Sequence, residues 1–448
     1  MERNLTEGSV LKTVIYFSLP YLLSYFLQTL YGMADLFIIG QFNGVDSTTA
    51  VSVGSQVMHM LTVIIIGLAM GTTVMTGRAV GEGNRRKISC AIGNTITLFA
   101  ILAAVVTVVL LLSVNGIISL ISTPTEAVPQ AKDYLIICFI GIPFITTYNI
   151  ISSVFRGIGD TKSPMYFVAV ACVFNIILDY VFIGFFKLGA AGAALGTTLS
   201  QTVSVIISLA AIHKKQMLPK ITKSDLKPDR ATMGSLLKIG IPVAVQDGFI
   251  QVSFIVITIF ANRRGLNDAA AVGIVEKLIG IFFLIPSSML STVSALSAQN
   301  IGAGKPERAV LTLKYAAIIA VAFGVTTSIA MQFFAENAVS LFASDSTVIQ
   351  LGGKYMHSYV WDCVFAGINF SFCGYFCACG LSNIPFMNNC ISILAVRIPV
   401  AYMASKFFTA SLFPMGLASP LGSLLSVFIS VTAYMWLKRH PEKVMLNI

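Results

Sequence analysis

Residues 89–113 read SCAIGNTITLFAILAAVVTVVLLLS and contain no charged side chain. An α-helix rises about 1.5 Å per residue, so about 20 apolar residues cross a hydrocarbon core about 30 Å thick. This stretch therefore predicts a helix that spans a membrane.

Similar apolar stretches recur along the chain, from Val14 to Trp436. The 448 residues are 56% hydrophobic and only 11% charged, against about 25% charged in soluble domains. So few charges could not cover a soluble protein of this size, and the fold class predicted is an all-α polytopic membrane protein. Twelve transmembrane helices are expected, near residues 14–39, 51–72, 89–113, 133–155, 164–185, 190–212, 236–261, 270–296, 309–334, 355–379, 385–407 and 416–437.

The basic residues indicate the orientation of these helices. With the N-terminus placed in the cytoplasm, most of the 29 Lys and Arg residues fall on inner segments, as the positive-inside rule requires. The net charge of +10 is therefore a topology signal, and no nucleic-acid partner is expected. We expect a multi-pass protein of a bacterial-type plasma membrane, with both termini in the cytoplasm and the lipid bilayer as its surroundings.

An internal repeat divides the chain. Pro20 and Pro242 are 222 residues apart, and Gly159 and Gly380 are 221 apart. Six spans separate equivalent points, so both halves enter the membrane in the same orientation, which predicts a parallel repeat of two six-helix lobes. The lobes are placed at residues 1–218 and 236–448, with a cytoplasmic linker at 219–235. No feature predicts an obligate oligomer, and a monomer is expected.

Ionisable residues inside a span are costly and rare, so each is a candidate functional residue. Asp35 lies fifteen residues after Pro20, and Asp179 lies fifteen residues after Pro164. If the two prolines lie at similar depth, the two carboxyls are level. No Lys or Arg lies within the N-terminal spans to neutralise these acids, which suits coupling to a proton gradient. The alternative is a pair of buried carboxyls that only fixes packing.

Polar side chains at helical spacing accompany these acids. In the first span, Gln28, Tyr31 and Asp35 are spaced three and four residues apart, so they share one helix face. The fourth and sixth spans offer similar polar positions. The substrate cavity is therefore expected to be lined by Gln28, Tyr31, Asn149, Thr197 and Gln201.

The C-terminal half carries charges of both signs in its spans, namely Asp247, Glu276, Lys277, Asp362 and Arg397. Membrane-buried charges tend to pair, which favours a structural ion-pair network over a functional site. The residue 222 positions after Asp35 is Ile257, so the two halves differ in chemistry. Neither a metal site nor a cofactor is predicted, and the cysteines of the tenth span are interpreted as small residues at helix contacts.

Three motifs together resemble the multidrug and toxic compound extrusion (MATE) family, and the resemblance covers essentially the whole chain. They are LYGMADLFIIG at residues 30–40, FRGIGDTK at 155–162, and NIILD at 175–179 followed by LGAAGAALGT at 188–197. The pattern is nearer to the DinF-like and MepA-like members, because NorM-like members carry a Glu in the seventh span where Ile250 and Gln251 stand here. The resemblance implies export of organic cations in exchange for protons or sodium ions, with Asp35, Asn175 and Asp179 at the cation-coupling positions.

The function favoured is a secondary active antiporter that exports lipophilic, cationic small molecules in exchange for H⁺ or Na⁺. The alternative is a lipid-linked oligosaccharide flippase on a related scaffold, but its pyrophosphate substrate would require a cavity lined by Arg or Lys. An enzyme is not expected. Gly157-Ile158-Gly159-Asp160 spells the GxGD of intramembrane aspartyl proteases, yet it falls in a short loop between spans and is interpreted as a turn.

Overall fold

The computed structural model describes residues 5–121, 123–215, 218–219 and 221–440, and these residues form helices without any strand. The first half contains α1 (Val10–Phe42), α2 (Val45–Gly81), α3 (Arg85–Leu120), α4 (Val128–Ile158), α5 (Lys162–Asp179), a π-helical segment (Tyr180–Phe185) and α6 (Gly189–Lys215). The second half contains α7 (Arg230–Asn262), α8 (Leu266–Phe282), α9 (Leu284–Gly302), α10 (Pro306–Ser340), α11 (Ser346–Tyr359), α12 (Asp362–Ala378), α13 (Asn383–Ser392), a second π-helical segment (Ile393–Arg397), α14 (Ile398–Phe407), α15 (Phe413–Gly416) and α16 (Ala418–Arg439).

The predicted count of membrane spans is confirmed. Among the described residues, eleven helical stretches are long and apolar enough to cross a membrane, and the pair α11 and α12, bent by 42° at its break, supplies the twelfth. The eighth span is also interrupted, because α8 ends at Phe282 and α9 begins at Leu284. Pro286 explains the interruption, since its nitrogen carries no hydrogen to bond the carbonyl of Phe282.

Contacts divide the described chain into two compact units. The first comprises residues 23–237, and the second comprises residues 5–22 together with 238–440. The division falls inside α1, just beyond Pro20, and inside α7, shortly before Pro242.

In the first unit, α4 is the central helix. Its Tyr134, Leu135 and Phe139 are buried among residues of α2, α3 and α6. The glycine at position 54 allows the close approach of α2, because a Cβ there would overlap the ring of Tyr134. Small residues at helix contacts are the usual means of packing helices in lipid.

In the second unit, α12 has the corresponding position and packs against α9, α10 and α16. A Cβ at Gly374 would overlap the carbonyl oxygen of Leu290 in α9, so the two backbones lie in close contact. Cys373, Cys377 and Cys379 are all buried free thiols on or next to this helix. Their positions agree with a packing role.

The segment placed at 219–235 as a linker is fastened to α3, and its residue 220 lies outside the described residues. Asn94 Oδ1 accepts a hydrogen bond from the backbone N of Asp229 at 2.7 Å, and Thr97 Oγ1 donates to the carbonyl of Leu226 at 2.7 Å. Asp229 in turn caps the start of α7, because its Oδ2 accepts from the backbone N of Thr232 at 2.9 Å. By its contacts this segment therefore belongs to the first unit.

The Gly-Ile-Gly-Asp stretch forms the turn between α4 and α5. Gly159 ends α4 with a φ of 96°, a left-handed conformation that favours glycine. Asp160 Oδ1 accepts hydrogen bonds from the backbone N atoms of Lys162 and Ser163 at 2.9 and 3.1 Å. The carboxyl of Asp160 is thus engaged in the start of α5.

Candidate functional site

Two carboxyls from distant parts of the sequence lie side by side within the first unit. Asp35 comes from the middle of α1 and is 4% exposed, while Asp179 is the last residue of α5 and is fully buried. The two side chains interact directly with each other, and Asp35 also interacts with Asn175, one turn before Asp179. Thr197 Oγ1 of α6 donates a hydrogen bond to Asp35 Oδ2 at 3.1 Å. Three helices therefore converge on one acidic site.

Most polar atoms of this site have no hydrogen-bond partner within the described chain. They are Asp35 Oδ1, both carboxyl oxygens of Asp179 and both polar atoms of the Asn175 side chain, and all are shielded from the surface. A buried polar atom without a partner is costly, and two ionised carboxylates in contact can only accept hydrogen bonds. A proton on one carboxyl would let it donate a hydrogen bond to the other, and a small cation could be coordinated by several of these oxygens at once.

Gly196 gives Asp179 its place against α6. A Cβ at this position would overlap Asp179 Oδ1, so any larger residue would displace the carboxyl. The π-helical segment at 180–185 begins directly after Asp179 and packs against α6. Such local widenings of a helix are frequent at functional sites. Neither feature was predicted, although Gly196 belongs to a glycine- and alanine-rich motif.

Polar residues of the expected cavity continue from the acidic site along α1. The Tyr31 hydroxyl interacts with the side chain of Gln201 and with the carboxyl of Asp35. Gln28 interacts with Tyr148, a residue of α4 that the sequence analysis missed. Asn149 is buried, but its side-chain nitrogen donates to the carbonyl of Ile145 in its own helix at 2.8 Å. The structure therefore brings Gln28, Tyr31, Thr197 and Gln201 into this polar group, while Asn149 bonds within α4.

The charges of the second unit differ from the expected network. Arg397 interacts electrostatically with Glu276 and Asp362, but no nitrogen–oxygen distance within 4.0 Å joins them in the part of the chain described. Lys277 lies on an exposed face of α8, and Asp247 lies near Cys373 and Cys377 of α12. The expectation of direct ion pairs among these five residues is thus corrected: three of them share one buried region without direct pairing.

The family model described as MatE matches this chain twice, over residues 20–181 and 242–403. The two matches have equal length and begin 222 residues apart, which confirms the predicted internal repeat. Together they cover well over half of the chain.

Relatives of similar length give the same result. "Probable multidrug resistance protein YoeA" of Bacillus subtilis is 26% identical over 444 residues, which are 97% of this chain and 96% of the relative. "Multidrug export protein MepA" of Staphylococcus haemolyticus is 26% identical over 428 residues, 94% of each chain. A solved structure of a multidrug resistance MATE family transporter in an outward-facing conformation superposes with a TM-score of 0.90 at 20% identity, over 99% of this chain and 98% of that one. The last likeness establishes the shared fold.

Proposed function

Because this chain belongs to the MatE family of transporters, we propose that it is a secondary active antiporter that exports lipophilic, cationic small molecules in exchange for protons or sodium ions. It is a multi-pass membrane protein and not an enzyme. Relatives named as multidrug resistance and multidrug export proteins support the substrate class. The observation that carries the proposal is the buried pair of Asp35 and Asp179.

Charge repulsion makes this pair suitable for coupling. Two unit negative charges about 4 Å apart repel by about 4 kcal/mol at an effective dielectric constant of about 20. A bound proton or cation removes this repulsion, so the pair holds one such ion when the site is closed to water. An exported organic cation would be drawn to the same negative charge. Ion and substrate therefore compete, and competition between them is the coupling.

The neighbouring residues divide the work of this site. The Thr197 hydroxyl holds Asp35 Oδ2, which leaves Oδ1 to receive the ion. Both oxygens of Asp179 and the Asn175 Oδ1 supply further oxygen ligands, the type that hard cations prefer. One proton needs a single carboxyl oxygen, whereas a sodium ion would use several of these atoms at once.

The setting of the transporter follows from the charge distribution. The positive-inside pattern supports cytoplasmic termini, which lie outside the described residues, and the bacterial relatives support a plasma membrane. A single chain contains both halves of the repeat, and a monomer is proposed. The flippase alternative has no support here, because an acidic pair has the wrong charge for a pyrophosphate.

The test is dye efflux from liposomes that contain the purified protein, with a lipophilic cation as the dye. Proton and sodium gradients are imposed separately, and the wild type is compared with Asp35→Asn and Asp179→Asn. We expect one gradient to drive efflux and either substitution to abolish it, because the asparagine side chain cannot hold the ion. Asp133→Asn is the matched control, since Asp133 is exposed at the start of α4.

Each outcome is informative if circular dichroism and thermal unfolding show that the variants are folded. Loss of efflux in both variants with normal efflux in the control supports the acidic pair as the coupling site. Wild-type protein that moves no cation under either gradient would refute the antiporter proposal. Normal efflux in both variants would move the coupling site elsewhere in the chain.

A further inference from the structure

The second unit contains a cavity of about 70 Å³, and neither Asp35 nor Asp179 lines it. Aromatic side chains form one part of its wall, namely Phe254 of α7, Phe370 of α12 and Phe283 between α8 and α9. Arg397 and Asp362 supply opposite charges to the same wall. Pockets for drug-sized molecules measure about 300 Å³ or more, so this cavity accommodates the head group of a ligand and not a whole drug.

Arg397 has unused hydrogen-bonding capacity in this cavity. Its side chain is 9% exposed, one terminal nitrogen donates to the Tyr359 hydroxyl at 3.3 Å, and the buried Nε has no partner. The guanidinium carbon lies 4.6 Å from the ring centroid of Phe254. A guanidinium carries five N–H donors in a fork that matches a carboxylate. The geometry leaves much of that fork without an acceptor.

Asp362 presents the complementary case. It begins α12 directly after the bend of the tenth span, is 1% exposed, and its Oδ1 has no hydrogen-bond partner. The Asp362 carboxyl and the Arg397 guanidinium interact electrostatically, but their nitrogen and oxygen atoms lie more than 4.0 Å apart. A buried positive and a buried negative group thus line one cavity, and in the described part of the chain neither has an ion-pair partner within 4.0 Å.

The wall beside these two charges is already fixed by hydrogen bonds. Asn388 Nδ2 donates to Asn369 Oδ1 at 3.1 Å and to Ser430 Oγ at 2.9 Å, and Ser426 Oγ donates to Ser392 Oγ at 2.6 Å. These bonds tie α12, α13 and α16 together around the cavity. Arg397 itself packs against Gly422 of α16, because a Cβ added at Gly422 would lie 3.3 Å from the Cβ of Arg397. The charged groups are therefore held on a preformed frame.

We propose that Arg397 and Asp362 form a subsite for the zwitterionic head group of an exported molecule, with the guanidinium binding a carboxylate and Asp362 accepting a hydrogen bond from an ammonium. A simple cation would be repelled by the positive charge of Arg397, and a simple anion would be repelled by the negative charge of Asp362. A head group with both charges satisfies both residues, and Phe254 offers an apolar surface to the adjoining part of the molecule. The assignment rests on the proposed export function and adds amphipathic zwitterions to its substrates, of which an aromatic α-amino acid is the simplest.

Three matched ligands test the subsite by equilibrium binding to the purified full-length protein in lipid nanodiscs. They are naphthylalanine, its methyl ester, which keeps only the ammonium, and naphthylpropionate, which keeps only the carboxylate. We expect the zwitterion to bind about tenfold more tightly than either other ligand, as the loss of one charge-assisted hydrogen bond implies. Equal affinities for the three ligands in the wild type would overturn the proposal without any variant.

Variants then test which residue binds each charged group of the ligand. Arg397→Gln should abolish the preference for the zwitterion over the ester, and Asp362→Asn should abolish its preference over naphthylpropionate. Arg397→Lys keeps the charge but loses the fork, so a reduced preference is expected. Lys277→Gln removes an exposed cation of the same unit and should leave all three affinities unchanged. A preference over the ester that survives in folded Arg397→Gln would refute the role of this residue.

Efflux of a lipophilic cation, measured in parallel, separates this proposal from the export function. Zwitterion preference without driven efflux would retain the subsite as a binding site and refute the antiporter. Driven efflux without zwitterion preference would refute the subsite and leave the antiporter intact.

Discussion

Single residues decide the chemistry of the acidic site, and most of them could be predicted. Asp35 and Asp179 stood out because charges are rare inside spans, and helical spacing pointed to Thr197 and Gln201. Gly196 and Tyr148 could not be singled out in the same way. The role of Gly196 depends on how closely α6 approaches Asp179, and that of Tyr148 depends on which side chain of α4 faces α1. The local sequence predicts neither of these tertiary contacts.

Gly196 supports a prediction at this scale. Gly196→Ala would place a Cβ against Asp179 Oδ1 and displace that carboxyl from Asp35. We expect coupled efflux to fall by about tenfold or more, with a loss of stability of about 1–3 kcal/mol from overpacking. Efflux and thermal unfolding are measured together. Gly116→Ala in α3 is the control, because a Cβ there meets no atom within 4 Å. Unchanged efflux in Gly196→Ala would show that the position of Asp179 tolerates movement.

The charges of the second unit show the limit of residue-level inference. The sequence placed Glu276, Asp362 and Arg397 inside spans, and general experience favours pairing of such charges. Whether two long side chains meet or stop short depends on helix rotation and on breaks such as the π-helical segment that ends at Arg397. An offset of about one residue turns a side chain by about 100°, and no periodicity in the sequence records it.

At the scale of elements, all twelve spans were predicted, while their internal irregularities were missed. Twenty apolar residues specify a crossing, but they do not specify where a helix bends. The break between α8 and α9 has a visible signal in Pro286, whereas the bend between α11 and α12 has no proline at its break. The two π-helical segments likewise follow from packing between helices.

The start of α11 gives a prediction with a pH dependence. Asp345 Oδ1 accepts hydrogen bonds from the backbone N atoms of Thr347 and Val348 at 2.7 and 3.3 Å, and these bonds hold the pKa of Asp345 below its usual value. A carboxyl whose pKa is lowered by folding stabilises the folded state at neutral pH, and this contribution disappears as the pH falls through the lowered pKa. Acidification should therefore increase hydrogen exchange in the first turn of α11, when exchange is expressed relative to the intrinsic rate of an unprotected amide at each pH.

Two variants separate the cap from its charge. Asp345→Ser keeps a capping oxygen that does not titrate, so the acid-dependent increase in exchange should vanish. Asp345→Ala removes the cap, and exchange should be fast at every pH. An acid-dependent increase that persists in Asp345→Ser would assign it to another group.

At the scale of the whole molecule, the duplication is evident from the sequence alone, because proline and glycine landmarks recur at an offset of 221 or 222 residues. It was harder to predict from the sequence that the segment 219–235 belongs to the first unit. Its basic composition marked it as cytoplasmic, but its attachment to α3 depends on Asn94 and Thr97, two ordinary polar residues near the inner end of that helix.

Asn94 allows this attachment to be tested. Its side chain accepts from the backbone N of Asp229 and donates to the carbonyl of Asp225, so Asn94→Ala releases two points of the segment. We expect trypsin to cleave after Lys223 several times faster in the variant, because cleavage requires local opening of the chain. Asn115→Ala, at an exposed position of α3, should digest at the wild-type rate. Equal rates in all three proteins would mean that other contacts hold the segment.

The equal spacing of the two family matches also has an evolutionary meaning. Once a six-helix scaffold has been duplicated, only one copy needs to retain ion chemistry, and the other is free to diverge. At the landmark offsets of 222 and 221, Asp35 and Asp179 correspond to Ile257 and Val400. The second copy thus carries apolar side chains at both positions of the acidic pair. A symmetric dimer of one six-helix bundle would carry the same residues in both halves and could not differ in this way.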